Sequence, residues 1–154
     1  MPTIASEMIQ VYVCRKTEAQ PVQYLVLLRA ADEPVHPNIW QVITGHIHEG
    51  ETAHAAAKRE MLEETGIAID TLLVLPYVAS FYIAGTDTVH LVPVFAAMVD
   101  EHAVIELSDE HQEYRWLPVG DARRTLLFPS HKEGLDILEE VILGTAQPGL
   151  SVFI

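Results

Sequence analysis

The chain has 154 residues, 49% of them apolar, with 22 acidic side chains against nine basic ones and a formal net charge of −13. That length fits one domain of roughly 100–200 residues, and no apolar run approaches the ~18 residues of a membrane span. The acidic excess, with no run of Lys and Arg, argues against a nucleic-acid partner, and the single Cys14 excludes an intrachain disulfide.

The opening MPTIASEMIQ lacks the basic-then-apolar order of a secretion signal, so the expected setting is the cytoplasm. Next, Ile9, Val11 and Val13 alternate with Gln10, Tyr12 and Cys14, which predicts a strand from Met8 to Arg15. Val22 to Leu28 is almost continuously apolar, the pattern of a strand covered on both faces. The Pro- and Asp-rich ADEPVHPNI reads as a loop before a short strand over Trp40 to Thr44. A helix is expected over Thr52 to Thr65, with Thr52 as N-cap and Gly66 as its stop.

Leu72 to Ala84 and Val89 to Val99 are β-rich runs joined by the hairpin signal Gly85-Thr86-Asp87-Thr88. Pro76 and Pro93 point to irregular or edge positions within them. Tyr114 to Leu117 reads as a further short strand. In a final helix Leu135, Leu138, Val141 and Ile142 share one face, Gly144 closes it, and the tail TAQPGLSVFI follows. Strands on both sides of a central helix, with another helix at the end, predict an α/β protein: a mixed sheet flanked by helices, one domain over 1–154.

The chemistry concentrates in the central helix. Glu60, Glu63 and Glu64 stand at i, i+3 and i+4, so their carboxylates emerge together. Like charges so placed repel by a few tenths of a kcal/mol per pair, about the reverse of a helical ion pair, and the negative end of the helix dipole adds to the cost. A helix selected for stability alone would carry Lys or Arg there. A hard divalent ion would reverse the penalty, and magnesium takes one or two carboxylates together with substrate phosphates. On the opposite side Ala53, Ala57 and Met61 should face the core, and the small Ala55, Ala56 and Ala57 allow a close approach to the sheet.

The wider segment from Gly45 to Ile67 reads Gly, five residues, Glu, seven residues, then Arg-Glu-aliphatic-any-Glu-Glu-any-Gly-aliphatic. Gly45, Glu51, Arg59, Glu60, Met61, Glu63, Glu64, Gly66 and Ile67 all fit the Nudix box, so the chain resembles the Nudix hydrolases. Within that family it is most similar in feel to the nucleoside triphosphate and dihydroneopterin triphosphate pyrophosphohydrolases. The resemblance implies an α/β/α sandwich with a mixed β-sheet, and magnesium, replaceable by manganese, as cofactor. It also implies that Glu60, Glu63 and Glu64 hold metal and that Gly45 offers it a backbone carbonyl. Arg59 would orient a glutamate, and Glu51 would be structural.

SDEHQEYRWLP resembles the region that supplies a further acid in triphosphate-cleaving relatives, which nominates Glu110 as metal ligand or general base, with Glu106 and Glu113 as alternatives. Arg29 and Trp40 are the candidate substrate-binding residues. The implied reaction is hydrolysis of a phosphoanhydride, with Glu110 or Glu63 orienting or deprotonating the attacking water, giving a monophosphate and pyrophosphate from a triphosphate. ADP-ribose, nucleotide-sugar and diadenosine polyphosphate hydrolysis are the alternative enzymes, and a nucleotide-sensing domain without turnover is the non-enzymatic one. The expected partner is a small nucleotide, and a homodimer is the assembly the family suggests. His46, His48 and His54 do not form a His-Glu-x-x-His pair, so zinc is not expected.

Overall fold

The structure, a computed structural model, describes residues 1–142. Its strands are β1 (Thr3–Ala5), β2 (Met8–Arg15), β3 (Gln23–Arg29), β4 (Trp40–Gln41), β5 (Ile43–His46), β6 (Leu73–Ile83), β7 (Thr88–Val99) and β8 (His111–Pro118). The helices are α1 (Ala53–Thr65), α2 (Val119–Thr125) and α3 (Pro129–Ile142). All eight strands join one sheet. β7 runs parallel to β1 and β2, while every other pairing is antiparallel. The sheet is therefore mixed, as expected.

Alternation along β2 separates two cores. Ile9, Val11 and Val13 pack on one face with Ala56, Ala57 and Met61 of α1. Tyr12 and Cys14 pack on the other face with Ala122 of α2 and with Leu135 and Leu138 of α3. The result is the α/β/α sandwich. Ala55 departs from expectation: it is exposed, and only Ala56 and Ala57 of the alanine run meet the sheet.

The single strand expected over Trp40 to Thr44 is two strands separated at Val42. β2 and β3 are paired only at Cys14–Tyr24 and Arg15–Gln23, so the two strands splay apart beyond that end. The incoming chain fills the gap, β4 pairing with β3 and β5 with β2. The strand expected over Tyr114 to Leu117 extends to His111–Pro118. β1 and α2 were not signalled by periodicity, being only three and seven residues long.

Pro76 lies where the β6–β7 register shifts, between Val74 and Val78, in keeping with its missing N–H. The hairpin closes with Ile83 opposite Thr88 and with Asp87 at φ +48°. A second irregularity positions chemistry: the β3–β8 register shifts between Leu28 and Arg29, so Arg29 faces His111 and Gln112 is left over. Gln112 Nε2 donates to Arg29 O and Asn38 Oδ1 at 2.9 and 2.7 Å, holding this bulge to the following loop. α3 carries the expected Leu135 and Leu138 in the core. The side chains of Val141 and Ile142, Gly144 and the tail TAQPGLSVFI lie outside the described residues.

Candidate active site

Three segments meet beside α1: the end of β5, the helix itself, and the turn into β8. The helix is set by its ends. Thr52 Oγ1 accepts from Ala55 N at 3.1 Å, and Gly66 closes the last turn at φ +75° with its N–H on Leu62 O. Between these caps Arg59, Glu60, Glu63 and Glu64 are carried at fixed angular offsets.

Glu60 occupies the space that a side chain at position 45 would need. A Cβ on Gly45 would fall on the Glu60 carboxyl carbon, so the carboxylate rests directly over the Gly45 backbone. Arg59 ties the site together. Its Nε and Nη2 bond both oxygens of Glu51 at 2.9 Å, Nη2 also donates to His46 O at 2.8 Å, and Nη1 reaches Glu60 at 2.7 Å and Glu63 at 3.2 Å. Glu51 also accepts from His48 N at 3.0 Å. The Arg59 hydrogen bonds, with the His48 amide next, hold the Glu51 carboxyl down at about 2.

Glu64 differs from its neighbours. It is 2% exposed, on the same buried side of α1 as Ala57 and Met61. Its Oε2 has no hydrogen-bond partner among the described residues. His111 Nδ1 stands 3.8 Å away, beyond hydrogen-bonding distance. Burial pushes the Glu64 carboxyl well above the ordinary range, with the charges of Glu60 and Glu110 adding and that of Arg29 opposing. Glu60 is also raised, by burial first, with the Arg59 hydrogen bond acting against it. His111 is buried behind this cluster, its Nε2 3.1 Å from Gln41 Nε2. With the Gln41 amide donating there, the imidazole proton sits on Nδ1, facing Glu64.

These groups border a cleft of about 950 Å³. Arg29, Gly45, Arg59, Glu60, Glu63 and Glu110 all line it, and Glu64 lies buried next to it. Arg29 is held by Glu33 Oε2 at 2.9 Å and Val35 O at 3.1 Å. Trp40 is not brought into the cleft: it packs against the core on the α3 side, under the Arg115 guanidinium at 4.5 Å. Of the alternative acids, Glu113 pairs with Arg115 at 2.8 Å on β8, and the Glu106 side chain lies over Gly66. Neither lines the cleft. Sequence reasoning gave His111 no role of its own, its only signal being the Glu-His pair at the start of β8.

The donor set around Glu64 is anionic and all oxygen, the type a hard divalent ion takes. A buried carboxylate with no countercharge is costly, and the unpartnered Glu64 Oε2 beside Glu60 and Glu110 is the group such an ion would satisfy. Among the described residues no three acidic, His or Cys side chains already converge as a finished coordination shell. Glu60 and Glu63 are turned onto Arg59 Nη1 instead. The residues fit the ion; the shell would form as those two acids leave the guanidinium.

Residues 8–138 match the family model described as the NUDIX domain. The asymmetrical bis(5'-nucleosyl)-tetraphosphatase of Rattus norvegicus is 34% identical over 122 residues, which span 78% of this chain and 80% of the rat protein. The dihydroneopterin triphosphate diphosphatase of Escherichia coli K12 is 41% identical over a shorter stretch of 51 residues, 33% of this chain and 32% of that protein. Among solved structures, a C. elegans Ap4A hydrolase binary complex superposes with a TM-score of 0.77 at 23% identity, covering 91% of this chain and 99% of the other, and supports the fold.

Proposed function

The chain belongs to the Nudix family of pyrophosphohydrolases, and from that premise we propose that its cleft hydrolyses a phosphoanhydride bond of a nucleoside triphosphate-like substrate with magnesium, giving a monophosphate and pyrophosphate. The observation that carries this reading is Glu64, a buried carboxylate whose Oε2 has no hydrogen-bond partner among the described residues, next to the cleft that Glu60 and Glu110 line. When bound, the divalent ion supplies charge neutralisation for the phosphate chain and for the oxyanions of the transition state.

The protein's own groups would do the following. Glu60, Glu63, Glu64 and Glu110, with the Gly45 carbonyl, hold the ion. Arg59 fixes the loop before α1 through Glu51 and His46, and its Nη1 holds Glu60 and Glu63 at the cleft until they turn to the ion. Arg29, on the wall and anchored by Glu33, meets the phosphates. Glu110 is exposed at the edge of the cleft, and Glu63 keeps 56% of its side-chain surface, so either can accept a proton from the attacking water. Phosphoryl transfer of this kind rests on positioning and charge.

A second reading has its own support. The rat relative is named for a dinucleoside tetraphosphate and aligns with most of this chain, so a dinucleoside polyphosphate is the alternative substrate. Incubation with magnesium and a panel of nucleoside triphosphates, diadenosine tetraphosphate and ADP-ribose, with pyrophosphate and nucleotide products measured separately, decides between them. Pyrophosphate and a monophosphate from triphosphates are the expected result. A mononucleotide plus a triphosphate, from the tetraphosphate alone, would install the second reading. No turnover of any compound would remove both and leave a nucleotide-sensing domain.

A further inference from the structure

Behind the acid cluster lies a buried polar pair that packing does not explain. The side chains of His111 and Glu64 are 0% and 3% exposed, with His111 Nδ1 3.8 Å from Glu64 Oε2. Both atoms are buried without a hydrogen-bond partner among the described residues. Their separation is about 1 Å longer than a charge-assisted N–H···O bond. The surroundings are apolar: Glu64 shares the buried side of α1 with Met61, and both Met61 and Leu27 of β3 belong to the core on that side. Two unpaired polar atoms there cost stability. A fold selected for stability alone would carry a Leu at position 111.

The imidazole is aimed from both flanks of β3. β4 puts Gln41 opposite Leu27, and β8 puts His111 opposite Arg29, just past the register shift. Gln41, itself only 4% exposed, brings its Nε2 to 3.1 Å from His111 Nε2. An amide N–H donated to that nitrogen fixes the imidazole proton on Nδ1, the side that faces Glu64. Backbone bonds hold the same turn, Ala30 N donating to Glu110 O at 2.8 Å and His111 N to Ser108 O at 3.2 Å. The donor is thus set in place and lacks only its acceptor. An ionised carboxylate has about four lone-pair sites, so it can take a metal ion and an N–H together.

We propose that His111 is a positioning residue for Glu64, a role that rests on the magnesium site proposed above: its Nδ1–H holds the ionised carboxylate in place for the ion, and Gln41 keeps the imidazole in the tautomer and orientation that does so. His111 does not line the cleft, so it acts through Glu64. Groups that hydrogen-bond a metal ligand orient it, and losing one typically costs about 10- to 100-fold in affinity for the ion.

Two measurements free of turnover test this. Long-range 1H–15N spectra of the metal-free protein, with the His111 signals assigned by their absence from His111→Asn, report which ring nitrogen carries the proton. Titration with Mn2+ alone, followed by electron paramagnetic resonance, gives dissociation constants for the wild type, His111→Leu, His111→Asn and Gln41→Met, each shown to be folded by circular dichroism at the temperature used. Leu keeps bulk without a donor, whereas Asn places an amide N–H close to where Nδ1–H stands. The proton should be on Nδ1. Mn2+ should bind His111→Leu about 10- to 100-fold more weakly than the wild type, His111→Asn within about three-fold of it, and Gln41→Met several-fold more weakly. A merely structural histidine would not be rescued by Asn in this way.

A proton on Nε2, wild-type affinity in His111→Leu, or equal losses in the Leu and Asn variants overturns the positioning role and leaves the metal site standing. Gln41→Met keeps the imidazole, so it carries the comparison if His111→Leu does not fold, and unchanged affinity there overturns the role as well. A wild type with no Mn2+ site removes the metal-dependent reading and this role together.

Discussion

Gly45 and Glu60 compete for the same space, and that competition makes a sharp prediction. In Gly45→Ala the new Cβ would overlap the Glu60 carboxyl group, and the atom that must give way is the end of a flexible side chain. Stability should therefore fall by only about 1 kcal/mol, a shift of roughly 2–4 °C in unfolding midpoint. Activity should fall about a hundred-fold, because Glu60 is displaced from the cleft wall by an ångström or more. A variant as active as the wild type would show that Glu60 does not need its present position. Glu64 gives the complementary case. Glu64→Gln removes a buried carboxyl group whose ionised form burial disfavours and whose Oε2 has no hydrogen-bond partner among the described residues, so the metal-free variant should be more stable than the wild type at pH 8. Its turnover should drop by roughly a hundred- to a thousand-fold, the usual loss when a group acting on developing charge is removed. Unfolding curves in EDTA and initial rates in magnesium test the two halves. Loss of stability without loss of rate would make Glu64 a structural residue.

At the level of elements, α1 was the most legible part of the chain, because its signals are local. Thr52 and Gly66 mark its ends through backbone groups that any helix leaves unsatisfied, and both act as read. Thr52→Ala should therefore cost ~1 kcal/mol and lower the unfolding midpoint by a few degrees. KM should hardly change, since Thr52 does not line the cleft; a large rise in KM would show that the cap also sets the active-site geometry. What spacing could not show was how the three acids divide. At ~100° per residue, Glu63 and Glu64 fall on opposite sides of Glu60, and the sheet lies on only one of them. Glu63 accordingly keeps 56% of its side-chain surface while Glu64 keeps 3%. The division of Trp40 to Thr44 into β4 and β5 was hidden for a similar reason. It follows from the splay of β2 and β3, a tertiary feature with no trace in the short run itself. Trp40 was nominated for substrate and serves packing. His111, given no role of its own by the sequence, is buried against Glu64 because β8 pairs with β3, a segment far from it in the chain.

For the molecule as a whole, the ionisable groups pull stability in opposite directions along the pH axis. Glu51 is held down at about 2 by Arg59; its contribution is present above the ordinary carboxylate value near 4.5 and is lost as pH falls toward 2. His131 and His111 are pushed down to about 4, chiefly by burial. The unfolded chain binds those protons more readily, so stability drops as pH falls from about 6.5 to about 4, by at most ~1.4 kcal/mol per pH unit for each group. Glu64 and Glu60 act the other way. Their folded carboxyls hold protons more tightly than the unfolded chain does, so their contribution is full below about pH 4.5 and is lost as pH rises through their raised values. The metal-free protein should thus be most stable in weakly acidic solution and lose stability toward alkaline pH, where the net charge of −13 adds self-repulsion. Magnesium binds only the ionised carboxylates, so the stability it adds should be small at about pH 5 and grow by about pH 8, following the ratio of free ion to its dissociation constant. Unfolding midpoints across that range, in magnesium and in sodium chloride of equal ionic strength, separate site binding from screening. If the two salts raise the midpoint equally at every pH, the acids of α1 are answering to general screening, and the metal assignment fails with them.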